Sequence, residues 1–269
     1  MDNLPVWEKV LVRLRALDYP EVFAGRYLSS YLTAAPAPFH AELYGLMVSK
    51  GRNKREAIAE TVKELVDTPV YVLPNQIDFA DIERLTFSAR KRPSVGWAGG
   101  HYHVQDFGLV ENALEKVLEK YPEIVLIMYG ACPKGLYERK KARIFLQPFM
   151  PVEEFHFWMA SFRFDIGIAP LYKTEFAKSR SNLRLLQYAA MKIPVVASNY
   201  GEYGRALGSG LAGITAEDDQ WVDRIGYLIE HPDEREELSK KAHNYVRENY
   251  DMEKSVNSWS TVYEEVLTR

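Results

Sequence analysis

Residues 164–198 read FDIGIAPLYKTEFAKSRSNLRLLQYAAMKIPVVAS, and this stretch decides the fold. Residues 165–169 are a short apolar run typical of a buried parallel strand, and Pro170 ends the run because proline cannot donate to the ladder. Residues 193–197 form a second run of this kind. Between the two runs, apolar residues recur at helical spacing from Ser179 onward. The pattern predicts a strand–helix–strand unit with a right-handed crossover.

The start of the predicted helix is rich in cations and hydroxyl groups. These residues are Lys178, Ser179, Arg180, Ser181 and Arg184. In a parallel sheet, the loop after a strand and the first turn of the next helix lie at the carboxyl edge, where open α/β sheets bind ligands. A helix N-terminus that also carries guanidinium groups suits a phosphate-bearing anion. One interpretation is therefore a phosphate site, and the other is that these cations form a solvated helix face.

Strands and helices alternate along the chain from residue 69 onward. The patterns predict strands at residues 70–73, 94–98, 124–129 and 144–146, helices at 106–120, 153–161, 221–229, 234–248 and 251–268, and a basic loop at 134–143. This alternation predicts a doubly wound parallel sheet with helices on both faces. Gly99 and Gly100 directly follow the predicted strand 94–98. Because glycine has no Cβ, they would let the backbone approach a ligand closely.

Composition and the absence of certain sequence patterns argue against several classes of protein. A net charge of −3 argues against a general nucleic-acid binder. The single cysteine, Cys132, excludes an internal disulfide framework and favours a cytoplasmic location. We expect no membrane span, because no apolar run is long enough, and no signal peptide at the first residues. The chain also lacks the GxSxG pattern of many serine hydrolases.

Residues 1–68 are predicted to be a helical appendage. FAGRYL at residues 23–28 and PFHAELY at residues 38–44 weakly resemble the opening segment of phage large terminase subunits, which implies a phage or prophage origin. No GxxxxGK[ST] phosphate loop follows, so the ATPase core of those proteins is not expected. We predict three parts: residues 1–68 as the appendage, 69–250 as the ligand-binding domain, and 251–269 as a C-terminal helix that packs back.

Five segments together resemble the donor-binding half of the GT-B glycosyltransferases known as glycosyltransferase group 1 or family 4. They are VLPNQID at residues 72–78, VGWAGG at 95–100, DIGIAP at 165–170, YAAMKIPVVA at 188–197, and residues 231–250. The resemblance covers residues 69–269. It implies a Rossmann-like domain that binds a nucleotide-diphosphate sugar without a metal or another cofactor. It also implies transfer with retention at the anomeric carbon.

The resemblance implies which residues would meet the donor. The family has two glutamates separated by seven residues, and here Ser179 and Gln187 occupy those positions. Gln187 offers one acceptor and an NH₂ group, so it should hold a ribose more weakly than a carboxylate would. Arg180, Ser181 and Arg184 resemble basic positions that meet the diphosphate. Lys192 stands where the family has glycine.

Two interpretations apply to the histidines after Gly100. The resemblance makes residues 101–103 part of the loop that covers the donor, with His103 in contact with a phosphate or the sugar. Alternatively His101, His103 and Asp106 could be metal ligands, but a triad on one loop with no fourth partner makes a poor zinc site. His156 lies among aromatic residues and is interpreted as a packed or rim histidine.

The sequence leaves two function classes open. The first is a retaining, metal-independent glycosyltransferase, or its donor half, for which a partner chain would supply an acceptor domain. The second is a non-catalytic nucleotide-sugar-binding or scaffold module left by a gene fusion.

Three geometric expectations go with either class. Gly99 and Arg180 should share the carboxyl edge of the sheet. Arg180 and Arg184 should lie one helical turn apart. The last helix, with Trp259, should pack against the N-terminal helices that contain Trp7.

Overall fold

The computed structural model describes residues 74–87, 92–100, 103–148, 152–174, 177 and 180–267. The chain divides into two compact units. The larger unit comprises Pro74–Tyr172 and Asn182–Arg269, and the smaller comprises Met1–Leu73 and Lys173–Ser181. The predicted helices of residues 1–68 and the predicted strand 70–73 lie outside the described residues. The fold and the site below belong to the larger unit.

The larger unit is built on a six-stranded parallel sheet. Its strands are β1 (Ser94–Ala98), β2 (Val125–Tyr129), β3 (Ile144–Gln147), β4 (Ile166–Ala169), β5 (Val195–Ser198) and β6 (Ile214–Ala216). They are ordered β3-β2-β1-β4-β5-β6, and each neighbouring pair is parallel. The order reverses between β1 and β4, and doubly wound sheets bind ligands at this switch point. The predicted fold class is therefore confirmed.

Helices connect the strands. They are α1 (Phe79–Glu83), α2 (Val104–Gly108), α3 (Glu111–Lys120), α4 (Lys134–Lys140), α5 (Val152–Ser161), α6 (Leu183–Ala190), α7 (Gly201–Gly208), α8 (Trp221–Glu230), α9 (Pro232–Asn249) and α10 (Met252–Leu267). A short 3₁₀ helix, Lys141–Arg143, follows α4. No helix of the described residues has the length and apolar character needed to cross a membrane.

Two predicted elements on either side of β2 differ from the structure. The single helix predicted at residues 106–120 is two helices, because the N–H groups of Leu109 and Val110 bond three residues back, to the carbonyls of Asp106 and Phe107. The basic loop predicted at residues 134–143 is helical instead. Its cations pair with acidic residues of α3: Arg139 contacts Glu115 at 2.8 Å, and Lys140 contacts Glu119 at 2.9 Å.

Glycines in the two central strands make room for aromatic rings. Gly96 of β1 pairs in register with Gly167 of β4. A Cβ on Gly96 would lie 2.1 Å from the ring of Phe164, and one on Gly167 would lie 2.7 Å from the ring of Tyr188. The two rings meet edge to face, with centroids 5.3 Å apart. The centre of the sheet is therefore packed by aromatic side chains in space that only glycine leaves open.

The beginning of the larger unit pairs with the junction of α9 and α10. Ile77 forms a parallel bridge with Asp251, and its N–H donates to the Tyr250 carbonyl at 2.8 Å. The Ser255 hydroxyl donates to Gln76 Oε1 at 2.9 Å. The predicted contact between α10 and the N-terminal helices involves Trp7, which lies outside the described residues, and it stays a prediction.

Candidate functional site

The candidate site lies where the chain leaves β1 and β4, at the switch point of the sheet. Gly99 and Gly100 follow β1 directly and lead into α2. Leu171 and Tyr172 follow β4. Helix α6 brings Arg184 to the same place, since its side chain contacts residues at the end of β1. The carboxyl edge of the sheet therefore carries polar groups from several separate elements.

Asp106 links the loop after β1 to the loop after β4. Its Oδ2 lies 2.7 Å from His103 Nδ1, and its Oδ1 accepts the backbone N–H of Tyr172 at 2.9 Å. The carboxylate is only 2% exposed, so these hydrogen bonds compensate for burying its charge. The N–H of Leu171 in turn donates to the Ser198 hydroxyl at 2.8 Å, which extends the connection to β5. The edge is thus cross-linked from β1 to β5.

His103 is held between a carboxylate and a guanidinium. Its Nε2 lies 3.0 Å from Nη2 of Arg184, and the residue is 5% exposed. A guanidinium can only donate, so Nε2 must be the accepting nitrogen. The ring proton then sits on Nδ1 and is donated to Asp106. The contacts assign a neutral His103 with the Nδ1–H tautomer.

Arg184 packs against aromatic and glycine surfaces at the end of β1. Its Cζ lies 4.8 Å from the centroid of the Trp97 ring, a cation–π arrangement. A Cβ on Gly99 would lie 2.4 Å from Nη2 of Arg184 and 2.6 Å from Cζ2 of Trp97. Position 99 therefore needs glycine because the guanidinium and the indole already fill the space of a side chain.

Tyr188 fixes helix α6 to the same strand end. The Ala98 N–H donates to Tyr188 Oη at 2.9 Å, and the tyrosine is fully buried. Burial raises the pKa of Tyr188 well above its ordinary value. Arg184 lies four residues before Tyr188, on the same side of α6. The tyrosine therefore anchors the turn of helix that presents the arginine.

The other predicted site residues are placed as follows. Gln187 lies on α6 and is half-buried. Gly100 lies in the turn that leads into α2, where its carbonyl accepts the His103 N–H at 3.2 Å. Arg180 and Ser181 belong to the smaller unit, where the Arg180 N–H donates to the Ala177 carbonyl at 3.1 Å. Lys178 and Ser179 lie outside the described residues. The shared edge predicted for Gly99 and Arg180 stays a prediction, because the two residues lie in different units.

The predicted start of α6 is wrong. The helix begins at Leu183, with Asn182 as its N-cap, rather than at Ser179. The first backbone hydrogen bond of the helix runs from the Leu186 N–H to the Asn182 carbonyl, at 3.1 Å. Arg180 is consequently outside the helix, and the expectation that Arg180 and Arg184 lie one helical turn apart is incorrect.

A second buried carboxylate lies beyond β5. Glu202, in the first turn of α7, is bound by Arg205 through two hydrogen bonds, of which the one from Nε to Oε2 is 2.8 Å long.

The described residues contain no group of three His, Cys, Asp or Glu side chains placed to hold a metal ion. The metal interpretation of the loop after β1 also involves His101, which is not among them.

Sequence reasoning missed two of the connections in this site. The only functional role that the sequence suggests for Asp106 is that of a metal ligand, and it suggests no role for Tyr172. A carboxylate three residues after a histidine at a helix start was the available signal, since the two side chains can meet within one turn.

Comparison with known proteins gives one family match and many structural matches. The model of a family described as glycosyl transferase-like matches residues 108–260. No curated protein matches the chain in sequence. Among solved structures, S. aureus TarM in complex with fondaparinux, alpha-GlcNAc-glycerol and UDP is similar, with a TM-score of 0.58 and 18% identity over 77% of this chain. The chain spans 42% of that TarM chain.

Two further structures show the same fold. Anabaena HepE in complex with UDP has a TM-score of 0.60 and 14% identity, covering 78% of this chain and 61% of its own. The C-terminal domain of LpcC, a glycosyl transferase group 1 family protein from Francisella tularensis, has a TM-score of 0.51 and 18% identity, covering 65% of this chain and 99% of its own. The sheet therefore matches the Rossmann-like domain of GT-B enzymes, as predicted.

Proposed function

Since the chain belongs to the glycosyl transferase-like family, we propose that it binds a nucleotide-diphosphate sugar and transfers the sugar to an acceptor. The structures of TarM and HepE were solved with UDP, and HepE also with UDP and glucose. Those ligands support a uridine diphosphate donor as the first one to test.

The observation that carries this proposal is the placement of Arg184. A guanidinium held over Trp97 and beside Gly99 puts positive charge at the switch point of the sheet, where doubly wound sheets bind ligands. Charge-assisted hydrogen bonds contribute about 1.5–3 kcal/mol each when formed away from water. Arg184 is half-buried, so we expect a contribution near the lower end of that range.

In the proposed reaction the chain's own residues bind and stabilise the diphosphate. Negative charge develops on the leaving diphosphate as the bond to the anomeric carbon breaks, and Arg184 would stabilise that charge. Gln187, three residues along α6, is the proposed contact to a ribose hydroxyl. We further propose transfer with retention, in which cationic side chains rather than a metal ion balance the diphosphate.

A non-catalytic nucleotide-sugar-binding module is the second candidate. Ser179 and Gln187 favour it, because they place no carboxylate at the two positions where the family has glutamates. Binding alone would need only the cation of Arg184 at the switch point. Transfer would also need a group that can stabilise the positive charge on the sugar.

Calorimetric titration with UDP, GDP and ADP, free and sugar-linked, tests the proposal. We expect the chain to bind one nucleoside diphosphate, and Arg184→Ala to weaken that binding by about tenfold or more. Arg84→Ala is the matched control, since the side chain of this arginine is 79% exposed and pairs with Asp81 at 3.6 Å, within its own helical turn. If no nucleotide binds, the proposal is wrong.

A transfer assay then separates the two candidates. Released nucleoside diphosphate would be measured with a panel of sugar acceptors. Multiple turnovers that fall in Arg184→Ala would identify an enzyme, whereas tight binding without turnover for any acceptor would favour the binding module.

A further inference from the structure

We propose that Asp106 and His103 are positioning residues that orient Arg184 toward the anion. Asp106 holds the His103 proton on Nδ1, so that Nε2 accepts a hydrogen bond from Arg184 and fixes the plane of its guanidinium. The inference rests on the proposed function, because it assigns a role in nucleoside-diphosphate binding. It changes the role of His103 from a direct contact with the donor to a residue that acts through Arg184.

The first step is that Asp106 determines the tautomer of His103. A carboxylate offers only acceptors, so the imidazole nitrogen facing it must carry a proton. The 2.7 Å contact puts Nδ1 in that position. The other carboxylate oxygen is held by the Tyr172 N–H at 2.9 Å, so Asp106 cannot turn away without losing a buried hydrogen bond. The proton is therefore held on one side of the ring.

The second step is that His103 supplies the directional restraint on Arg184. Packing over the Trp97 ring places the guanidinium at the end of β1, but a cation–π contact has little directional preference within the plane of the guanidinium. The 3.0 Å hydrogen bond from Nη2 to His103 Nε2 adds a directional restraint. One of the five guanidinium N–H groups is used for this bond, and its direction sets how the others are presented.

The third step is that the imidazole itself is held in place. His103 is 5% exposed and meets the Trp97 ring edge to face, with centroids 5.4 Å apart. Charged groups from two elements contact its ring nitrogens, Asp106 from α2 and Arg184 from α6. A proton on Nε2 would replace the acceptor by a donor that points at a cation. The arrangement thus works only with the Nδ1–H tautomer.

Asp106→Asn is the sharpest test, because it keeps the shape of the side chain. If the amide oxygen accepts the Tyr172 N–H, the NH₂ group faces Nδ1 and forces the ring proton onto Nε2. We expect UDP, the probe in all titrations, to bind about tenfold more weakly. Long-range ¹H–¹⁵N spectra should show His103 changing from the Nδ1–H to the Nε2–H tautomer. The signals of His103 are identified by their loss in a His103→Gln sample.

A pair of substitutions of His103 gives an independent test. A glutamine side chain could place an amide oxygen near the position of Nε2, so His103→Gln should keep UDP affinity within about threefold. His103→Leu has no acceptor and should lose about tenfold or more. The double variant with both Asp106→Asn and His103→Gln should bind UDP almost as well as His103→Gln alone, because glutamine has no ring tautomer that residue 106 could change. The two sites would then be coupled in a double-mutant cycle.

The outcomes separate this inference from the proposed function. If the unmodified chain binds none of the nucleotides, the proposed function is wrong and the inference is wrong with it. If it binds UDP but His103→Gln is as weak as His103→Leu, only the inference is overturned. Unchanged UDP affinity in Asp106→Asn despite a changed tautomer would overturn it as well. If Asp106 and His103 only stabilise the fold, every variant should have a lower melting temperature, and His103→Gln should not retain UDP affinity. That result would also overturn the inference.

Discussion

The Tyr188 hydroxyl accepts the backbone N–H of Ala98 at 2.9 Å, so one side chain of α6 is bonded directly to the last residue of β1. The contact is fully buried, and it joins the helix that carries Arg184 to the strand that carries Trp97. Stability and site geometry therefore depend on the same hydrogen bond.

Tyr188→Phe should destabilise the fold. The substitution keeps the ring but leaves the Ala98 N–H buried without its acceptor, which costs about 1–3 kcal/mol of unfolding free energy. Urea denaturation measures the change. Tyr172→Phe is the control, because that side chain is 46% exposed, and its effect should stay within about 0.5 kcal/mol. Equal stability of the two variants would contradict the role given to Tyr188.

Gly99→Ala should impair both ligand binding and folding. A Cβ at this position would lie 2.4 Å from Nη2 of Arg184 and 2.6 Å from Cζ2 of the buried Trp97, so both side chains must shift. We expect UDP affinity to fall at least about tenfold if Arg184 is displaced. Gly108→Ala is the matched control, since a Cβ there meets nothing within 4 Å. Loss of affinity in the control would show that the effect is not specific to position 99.

Stability should fall as the solution becomes mildly acidic. Burial lowers the pKa of His156 and of His243 below the ordinary histidine value. The unfolded chain therefore takes up protons at a higher pH than the folded chain does. The stability that these neutral imidazoles contribute is present above about pH 6.5 and is lost as the pH falls through the lower folded pKa values.

The pH dependence can be assigned to individual histidines. His243→Gln keeps a donor for the Ala190 carbonyl, which lies 2.9 Å from Nδ1, and it removes the titration. Its unfolding free energy should therefore depend less on pH between about 6.5 and 5.5 than that of the unmodified chain. If the unfolding free energy of both His243→Gln and His156→Gln depends on pH as strongly as that of the unmodified chain, neither histidine is the source of the pH dependence.

Cys132 should react slowly in the folded protein. Burial, together with the Glu111 carboxylate, raises the pKa of its thiol to about 12. Little thiolate is then present at pH 8, so alkylation by iodoacetamide should be at least about a hundredfold slower than in urea. Because the chain has one cysteine, mass spectrometry follows this reaction directly. Equal rates in the two conditions would contradict the raised pKa.

The sheet could be predicted because strands buried on both faces are nearly continuous apolar runs. The five predicted strands within the described residues are all present, within two residues of their predicted ends. Strand β6 was not predicted, since three residues between a glycine and a glutamate are too few to show a pattern. Helix α4 has no helical sequence pattern because only Leu136 of its residues is buried, and ion pairs to α3 rather than an apolar face stabilise it.

The site could be predicted only where its chemistry is local. The sequence indicates Gly99 and Arg184 as candidates because a glycine after a strand and a cation near a helix start are both recognisable patterns. The role of Asp106 could not be predicted, since it depends on a hydrogen bond to Tyr172, 66 residues away along the chain. The acceptor role of His103 likewise requires Arg184, which is 81 residues distant.

The pairing of the first and last segments of the larger unit has a kinetic consequence. The hydrogen bond between Ser255 and Gln76 joins residues 179 positions apart, so it closes a very long loop. Forming this bond before the intervening sheet exists would carry a large entropy cost. We therefore expect the contacts between residues 76–77 and residues 250–255 to form last during folding and to open first in the native state. The Ile77 and Met252 amides should then exchange with deuterium through partial opening, while those of β1 exchange only when the whole unit unfolds.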